Sequence, residues 1–275
     1  MDPMPSTDTL LSHADRCMVA HRAADGPEVT PVACWSDGGG LWLTAERRGG
    51  MVAALRRDPA CALWIAPPAG RAAGVAVDGT ARVFDVSDPL GLVLHAPTVS
   101  AALTALALTH RAQLAGYLRD LPGAARAWLP PGRVLVRVRV DRARSRLLPE
   151  PVSGVGPVLP TELPAAVRRG LTGVRRVALA TVRGAALTVQ PAVWSAGFQL
   201  DVGATVVPEA PMAACVAVAQ EQAQDPANRV GLALHGTVDS AFRFRPVRAT
   251  WWQGLSSAST ELRAPVASSG LVLPD

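Results

Sequence analysis

The chain contains no lysine, so all 27 of its basic residues are arginines. This absence excludes a P-loop lysine, a Schiff-base lysine and a lysine general base. Long apolar runs are also missing: the run Ala101–Leu108, for example, is far shorter than the ~18 residues that cross a bilayer. The N-terminus has no basic region followed by an apolar core. We therefore expect a cytoplasmic protein without a membrane partner.

Metal-binding and nucleic-acid-binding patterns are equally scarce. The four cysteines, Cys17, Cys34, Cys61 and Cys215, show no Cys-x-x-Cys spacing, and no two histidines stand four residues apart. We expect buried free thiols and no metal site. The net charge is +5, but no aromatic residue is interleaved among the arginines of the stretch Arg133–Arg146. Because bases need aromatic side chains to stack on, we expect no nucleic-acid partner.

The 275 residues favour two domains, and the chain contains two similar series of short motifs. Three motifs recur in the same order: Val29–Pro31 as Val189–Pro191, Asp58–Pro59 as Asp225–Pro226, and Asp78–Thr80 as His235–Thr237. We therefore predict four segments: a first domain with a helical insert at 1–147, a Pro-rich linker at 148–163, a second, degenerate domain at 164–254, and a loose tail at 255–275.

The local sequence patterns of each copy predict short antiparallel strands with one helix after the third strand, which is typical of a small β-barrel. In the first copy, Arg133–Val140 alternates valine with arginine, which predicts a half-buried strand, and the insert is predicted to be helical over Pro89–Leu121. In the second copy we predict a helix over Pro211–Gln222 and one strand fewer. The fold class is mainly β with short helices.

Several short segments of the first copy form a recognisable ordered series: Asp25–Gly26, Val29–Val32, Gly40–Thr44, Leu55–Pro59 and Val77–Ala81. With them the first copy resembles the flavin-binding split barrels related to pyridoxamine 5′-phosphate oxidase, and the end of the second copy, Phe244–Arg248 and Trp251–Gly254, is also similar to that family. The resemblance covers residues 10–141 well and 174–254 weakly. Since members of this family usually pair as homodimers, the resemblance implies two tandem split β-barrels packed as a pseudo-dimer within one chain. It leaves further self-association open.

The resemblance also implies a flavin mononucleotide (FMN) or deazaflavin coenzyme between the two barrels. Family members follow their third strand with a Thr, a Ser and a basic pair ending in Lys; here Thr44 is present, but Gly49 and Met51 stand where the Ser and Lys would be. Arg47 and Arg48 either replace the lysine at the phosphate or are solvated loop charges. The expected cofactor contacts are Val32, Thr44, Arg47, Arg48, Gly49, Gly50, Met51, Trp251, Trp252 and Gln253.

The function implied is that of an FMN- or deazaflavin-dependent oxidoreductase acting on an unidentified small molecule, with no catalytic residue assigned. The residues that would bind the phosphate of pyridoxamine 5′-phosphate cannot be located, so that substrate is not expected. Two alternatives stay open: a cofactor-free binding or regulatory protein, and a heme-binding split barrel with His21 or His235 as axial ligand. The loop Asp201–Met212 carries no basic residue, which predicts at most one flavin per chain.

Overall fold

The computed structural model describes most of the chain, with gaps in loops and at both ends. The described residues are 6–67, 72–85, 88–110, 132–150, 155–203, 211–219, 229–253 and 256–263. The helices are α1 (Thr7–Ser12), α2 (Gly50–Arg57), α3 (Pro89–Leu94), α4 (Ala96–Thr109) and α5 (Ala165–Gly170), with a short 3-10 turn at Ala196–Phe198. Within these residues, no helix has the length and apolar character needed to cross a bilayer.

The first half forms a closed antiparallel barrel. Its strands are β1 (Arg16–Ala23), β2 (Gly26–Ser36), β3 (Gly40–Glu46), β4 (Ala60–Ile65), β5 (Ala73–Phe84) and β6 (Arg133–Leu147). They pair in the order β1-β2-β3-β6-β5-β4, and the barrel closes because β1 also pairs with β4. Val134, Val136 and Val138 of β6 enter the barrel core. This confirms the alternation predicted for that strand.

The second half forms a seven-stranded sheet that curls on itself. Its strands are β7 (Arg176–Arg183), β8 (Ala186–Ser195), β9 (Gln199–Asp201), β10 (Met212–Ala219), β11 (Val230–Val238), β12 (Phe244–Gln253) and β13 (Ser256–Glu261). The pairing order is β13-β12-β11-β10-β7-β8-β9. The Leu200 N–H donates to the Phe242 carbonyl at 2.9 Å, and Gln199 forms a bridge with Arg243. These contacts bring β9 back toward β12 around the core.

The same irregularity occurs in both halves. A β-bulge shifts the register at Asp78/Gly79 in β5, and another does so at His235/Gly236 in β11. A Cβ added to Gly79 would lie 2.7 Å from the Arg139 carbonyl oxygen, so only glycine fits this close approach. One of the three recurring motifs, Asp78–Thr80 and its counterpart His235–Thr237, therefore marks corresponding bulges.

The helical insert covers one outer wall of the first barrel. Outward-facing Trp42, Phe84 and Leu135 pack against Ala102 and Leu106 of α4. The predicted helical stretch Pro89–Leu121 is thus α3 and α4 as far as residue 109; residues 111–121 lie outside the described part of the chain.

Three predictions for the second half differ from the structure. Met212–Ala219, within the predicted helix Pro211–Gln222, is strand β10. Both of its faces are buried, so its residues form one apolar run whose periodicity cannot separate strand from helix. The second sheet is therefore not one strand short. Ser256–Glu261, assigned to the loose tail, pairs with β12 as β13.

The two barrels pack through a layer of small side chains, named here the inter-barrel interface. Because side chains alternate along a strand, one face fills each barrel core and the other meets the partner barrel. The buried members of this layer are Ala20, Val29, Ala62, Trp64 and Ala76 from the first barrel, and Ala178, Ala180, Val189, Cys215, Ala217 and Ala233 from the second. Alanine at most of these positions lets the two sheets approach closely.

Candidate functional site

A cavity of about 460 Å³, named here the groove, lies between the two barrels. The first barrel contributes Arg16, residues 28–33 of β2, residues 44–46, residues 49–51 and Arg133. The second barrel contributes Ala219, Arg229, Val230, Ala233, Thr250, Trp252 and Ser257. Neither barrel forms this cavity alone.

One end of the groove is the N-terminus of α2. Gly49 is the N-cap residue of this helix, and no side-chain hydrogen bond caps it. The first N–H groups of a helix lack intrahelical partners and carry the positive end of the helix dipole. Gly49, Gly50 and Met51 line the groove at this point, so the helix start offers an anion-binding position.

Arg133 and Thr44 lie beside this helix start. Arg133 pairs in register with Glu46, and its guanidinium donates to the Thr44 carbonyl at 2.9 Å and to the Thr44 hydroxyl at 2.6 Å. These bonds hold the guanidinium at the wall of the groove. Arg16 and Arg229 line the same cavity, so among its described lining residues three arginines outnumber two glutamates, Glu28 and Glu46, which favours an anionic ligand.

The opposite wall carries an indole ring. Trp252 lies against Gly231 of the neighbouring strand: a Cβ added to Gly231 would collide with the Trp252 ring. Trp251 points to the other face of β12 and packs against the core of the second barrel. Of the two predicted tryptophans, the structure therefore places Trp251 at the core and Trp252 at the groove.

The structure gathers some of the predicted contact residues and separates others. Val32, Thr44, Gly49, Gly50, Met51 and Trp252 line the groove. Arg47, Arg48, Trp251 and Gln253 are not among the described residues that line it. The Arg47 guanidinium lies 3.8 Å from the buried Asp85 carboxylate, and Arg48 is exposed. Their assignment to a cofactor phosphate stays a prediction.

Several lining residues were missed by the sequence reasoning. Arg16 and Arg133 are the first residues of β1 and β6: Arg16 pairs with Ala33 of β2 and Arg133 pairs with Glu46 of β3, and this register brings both to the groove. Glu28 directly precedes the recognised Val29–Val32 motif, and Thr30 lies within it. Only strand register, which the motifs do not supply, could have placed them together.

Glu28 brings the groove a carboxyl group with altered acidity. Its side chain is half-buried, and burial raises the pKa of the carboxyl, while Arg248 opposes the shift. The carboxyl therefore keeps its proton to a higher pH than an exposed glutamate does.

Two buried histidines lie on the strands that carry the inter-barrel interface. His21 of β1 and His235 of β11 were the candidate heme ligands; the described residues contain no group of three or more metal-ligating side chains. Burial, then His235 and Arg57, lower the pKa of His21 to about 4. Burial, then Arg248, lower the pKa of His235 to about 4, opposed by the Pro27 carbonyl and Asp25. Both rings are neutral at neutral pH.

We expect these histidines to make the fold sensitive to acid. In the unfolded chain they titrate near pH 6.5, so unfolding takes up protons between about pH 6.5 and 4. The free energy of unfolding should fall across this window by about 3 kcal/mol for each histidine. Urea unfolding measured at a series of pH values tests this.

The variants His21→Leu and His13→Leu sharpen the measurement. Neither ring nitrogen of His21 has a hydrogen-bond partner among the described residues, so leucine removes the proton uptake without breaking a bond. His21→Leu should lose about 3 kcal/mol of this fall, while His235 and His110, whose pKa burial also lowers, keep the rest; the exposed His13→Leu should leave the whole pH dependence in place. An unchanged pH dependence in His21→Leu would contradict the assignment.

The chain is similar to known proteins only at the level of solved structures, because no family model and no curated protein matches it. Solved structures do match it: an FAD-binding protein from Mesorhizobium loti, with 18% identity, a TM-score of 0.39, and coverage of 50% of this chain and 88% of that one. A structure named F420 reductase has 22% identity, a TM-score of 0.38, and coverage of 52% and 98%.

A third structure is a Clostridium acetobutylicum protein related to general stress protein 26, of the pyridoxinephosphate oxidase family. It has 13% identity and a TM-score of 0.34, and the match covers 51% of this chain and 85% of that one. Each match spans about half of the present chain and most of the solved one. The chain resembles the pyridoxamine 5′-phosphate oxidase-like split barrels in fold, as its motifs indicated.

Proposed function

We propose that the chain binds one FMN or deazaflavin coenzyme in the groove and acts as an oxidoreductase on a small molecule. The observation that carries this proposal is the convergence of a helix N-terminus, Arg133 and Trp252, contributed by two barrels, on one cavity. Its volume of about 460 Å³ lies within the range of small-molecule and cofactor sites.

The residues present fit a phosphate at the α2 end of the groove. The backbone N–H groups of Gly50 and Met51 and the Arg133 guanidinium would hold it, with the Thr44 hydroxyl beside them. Arginine binds phosphate in a bidentate manner, so Arg133 can supply the charge that Met51 lacks. Arg47 and Arg48 are the alternative anchor, because they follow the same strand.

The residues at the other end fit a flat heteroaromatic ring. The Trp252 indole supplies an apolar face, and Thr30, Thr250 and the Glu28 carboxyl supply hydrogen-bonding atoms in the same cavity. When bound, a flavin or deazaflavin accepts and returns a hydride. The chain orients the ring, excludes water through the alanine-lined interface, and places the Glu28 carboxyl, whose pKa burial raises, in the same cavity.

We propose a stoichiometry of one coenzyme per chain. Gly231 and Gly74 correspond, because each stands five residues before the bulge glycine of its strand, which is Gly236 in β11 and Gly79 in β5. Gly231 lies opposite Trp252, whereas Gly74 lies opposite Arg146. Arg146 therefore occupies the position that corresponds to Trp252. The second position lacks the indole, and residues 204–210 of its loop lie outside the described part of the chain.

The phosphate anchor is tested by replacing Arg133. A charged hydrogen bond contributes about 1.5–3 kcal/mol, so Arg133→Ala should weaken FMN or deazaflavin binding roughly 10- to 100-fold in a fluorescence titration. The matched control is Arg139→Ala, on the same strand but 73% exposed and outside the groove, which should bind as the wild type does. If only the double variant Arg47→Ala/Arg48→Ala loses affinity, the anchor is that pair and not Arg133.

The role of the Trp252 indole as the surface against which the coenzyme ring packs is tested by replacing Gly231. Gly231→Ala forces the Trp252 indole from its position, so coenzyme affinity should fall at least about tenfold and tryptophan fluorescence should shift. Gly74→Ala is the control, since a Cβ at Gly74 would collide with the Ile65 carbonyl oxygen and the Trp64 ring, neither of which lines the groove. Both variants should lose stability, but only Gly231→Ala should lose affinity. Equal losses of coenzyme affinity in Gly231→Ala and Gly74→Ala would show that the coenzyme ring does not pack against Trp252.

A further inference from the structure

A second, smaller cavity of about 110 Å³ lies beside the groove, where β1 and β4 face β7 and β10. It is named here the interface pocket, and its principal lining residues are Arg16, Met18, Trp64, Arg176, Ala178 and Ala217. Arg16, Pro31, Val32 and Ala219 line both cavities. A ligand in the interface pocket would therefore sit next to a ligand in the groove.

The interface pocket exists because corresponding positions in the two barrels differ in size. Met18 pairs with Trp64 between β1 and β4, whereas Ala178 pairs with Ala217 between β7 and β10. Met18 and Ala178 correspond, since each is the third residue of its strand and each lies opposite a proline of the next strand. Large side chains thus face small ones, and space remains beside the Trp64 ring.

The polar side chains of the interface pocket carry one sign of charge. Arg16 is the first residue of β1 and Arg176 is the first residue of β7, so the two barrels present arginines from corresponding positions. No aspartate or glutamate is among the described residues that line the pocket. A largely apolar lining that includes two arginines is complementary to an apolar body that carries an anionic group.

We propose that the interface pocket binds a small aromatic or alicyclic carboxylate, its ring against Trp64 and its carboxylate between Arg16 and Arg176. The volume is of the order of an apolar cavity that takes a benzene ring, which limits the body of the ligand to about one ring. Because the pocket adjoins the groove, this ligand class is also the substrate class of the oxidoreductase; that step rests on the proposed function.

Benzoate is a suitable probe, with benzamide as its uncharged counterpart. In calorimetric titrations of the full chain without added coenzyme, benzoate should bind at least about tenfold more tightly than benzamide. Arg176→Ala should remove most of that difference. Arg176 is exposed, so the variant should fold, and the exposed β12 variant Arg245→Ala is the control that should bind benzoate normally. Wild-type protein that does not bind benzoate, or Arg176→Ala that binds it as tightly, would overturn the proposal.

A second variant tests the pocket itself. Ala66→Leu narrows the pocket: Ala66 lines the interface pocket but neither lines the groove nor belongs to the buried inter-barrel layer, so benzoate binding should be lost while FMN binding is kept. Undiminished benzoate binding in Ala66→Leu would place the ligand elsewhere. The two hypotheses fail separately: FMN binding without benzoate binding overturns the interface pocket alone, and benzoate binding without coenzyme binding overturns the proposed function alone.

Discussion

The close packing of two β-sheets through alanine is the constraint on which the rest of the molecule depends. Ala20, Ala62, Ala178, Ala217 and Ala233 are all nearly or fully buried at the inter-barrel interface. Small side chains bring the sheets together along their centres, and the groove opens at one border of this contact. If bulkier residues separated the sheets, the α2 loop of one barrel and Trp252 of the other would no longer share a cavity.

The same packing explains which structural features the sequence reveals. The alternating strand β6 and the turn-bounded strands of the first barrel follow from local patterns, because each has one distinct core face. Strand β10 does not, since both of its faces are apolar and alanine-rich. Its helix-like composition is overridden by pairing with β7 and β11.

The site was predictable only where a motif carries it. Thr44, Gly49, Gly50 and Met51 follow from the strand–loop–helix motif, and Trp252 follows from the tryptophan pair, whose alternation sends one ring toward the groove. Arg16, Arg133 and Arg229 belong to no motif, and they share the cavity only because of barrel register and the packing of the second barrel. Arg47, predicted together with Arg48 as a phosphate contact, lies 3.8 Å from the buried Asp85 carboxylate.

The central claim is that a coenzyme lies between the barrels, with its phosphate at the start of α2 and its ring at Trp252. A crystal structure of the full chain grown with FMN or the deazaflavin coenzyme tests this most directly. The account predicts one coenzyme per chain, with its phosphate within hydrogen-bond distance of Gly50, Met51 and Arg133. A coenzyme bound outside the groove, or a second copy at the position of Arg146, would contradict it.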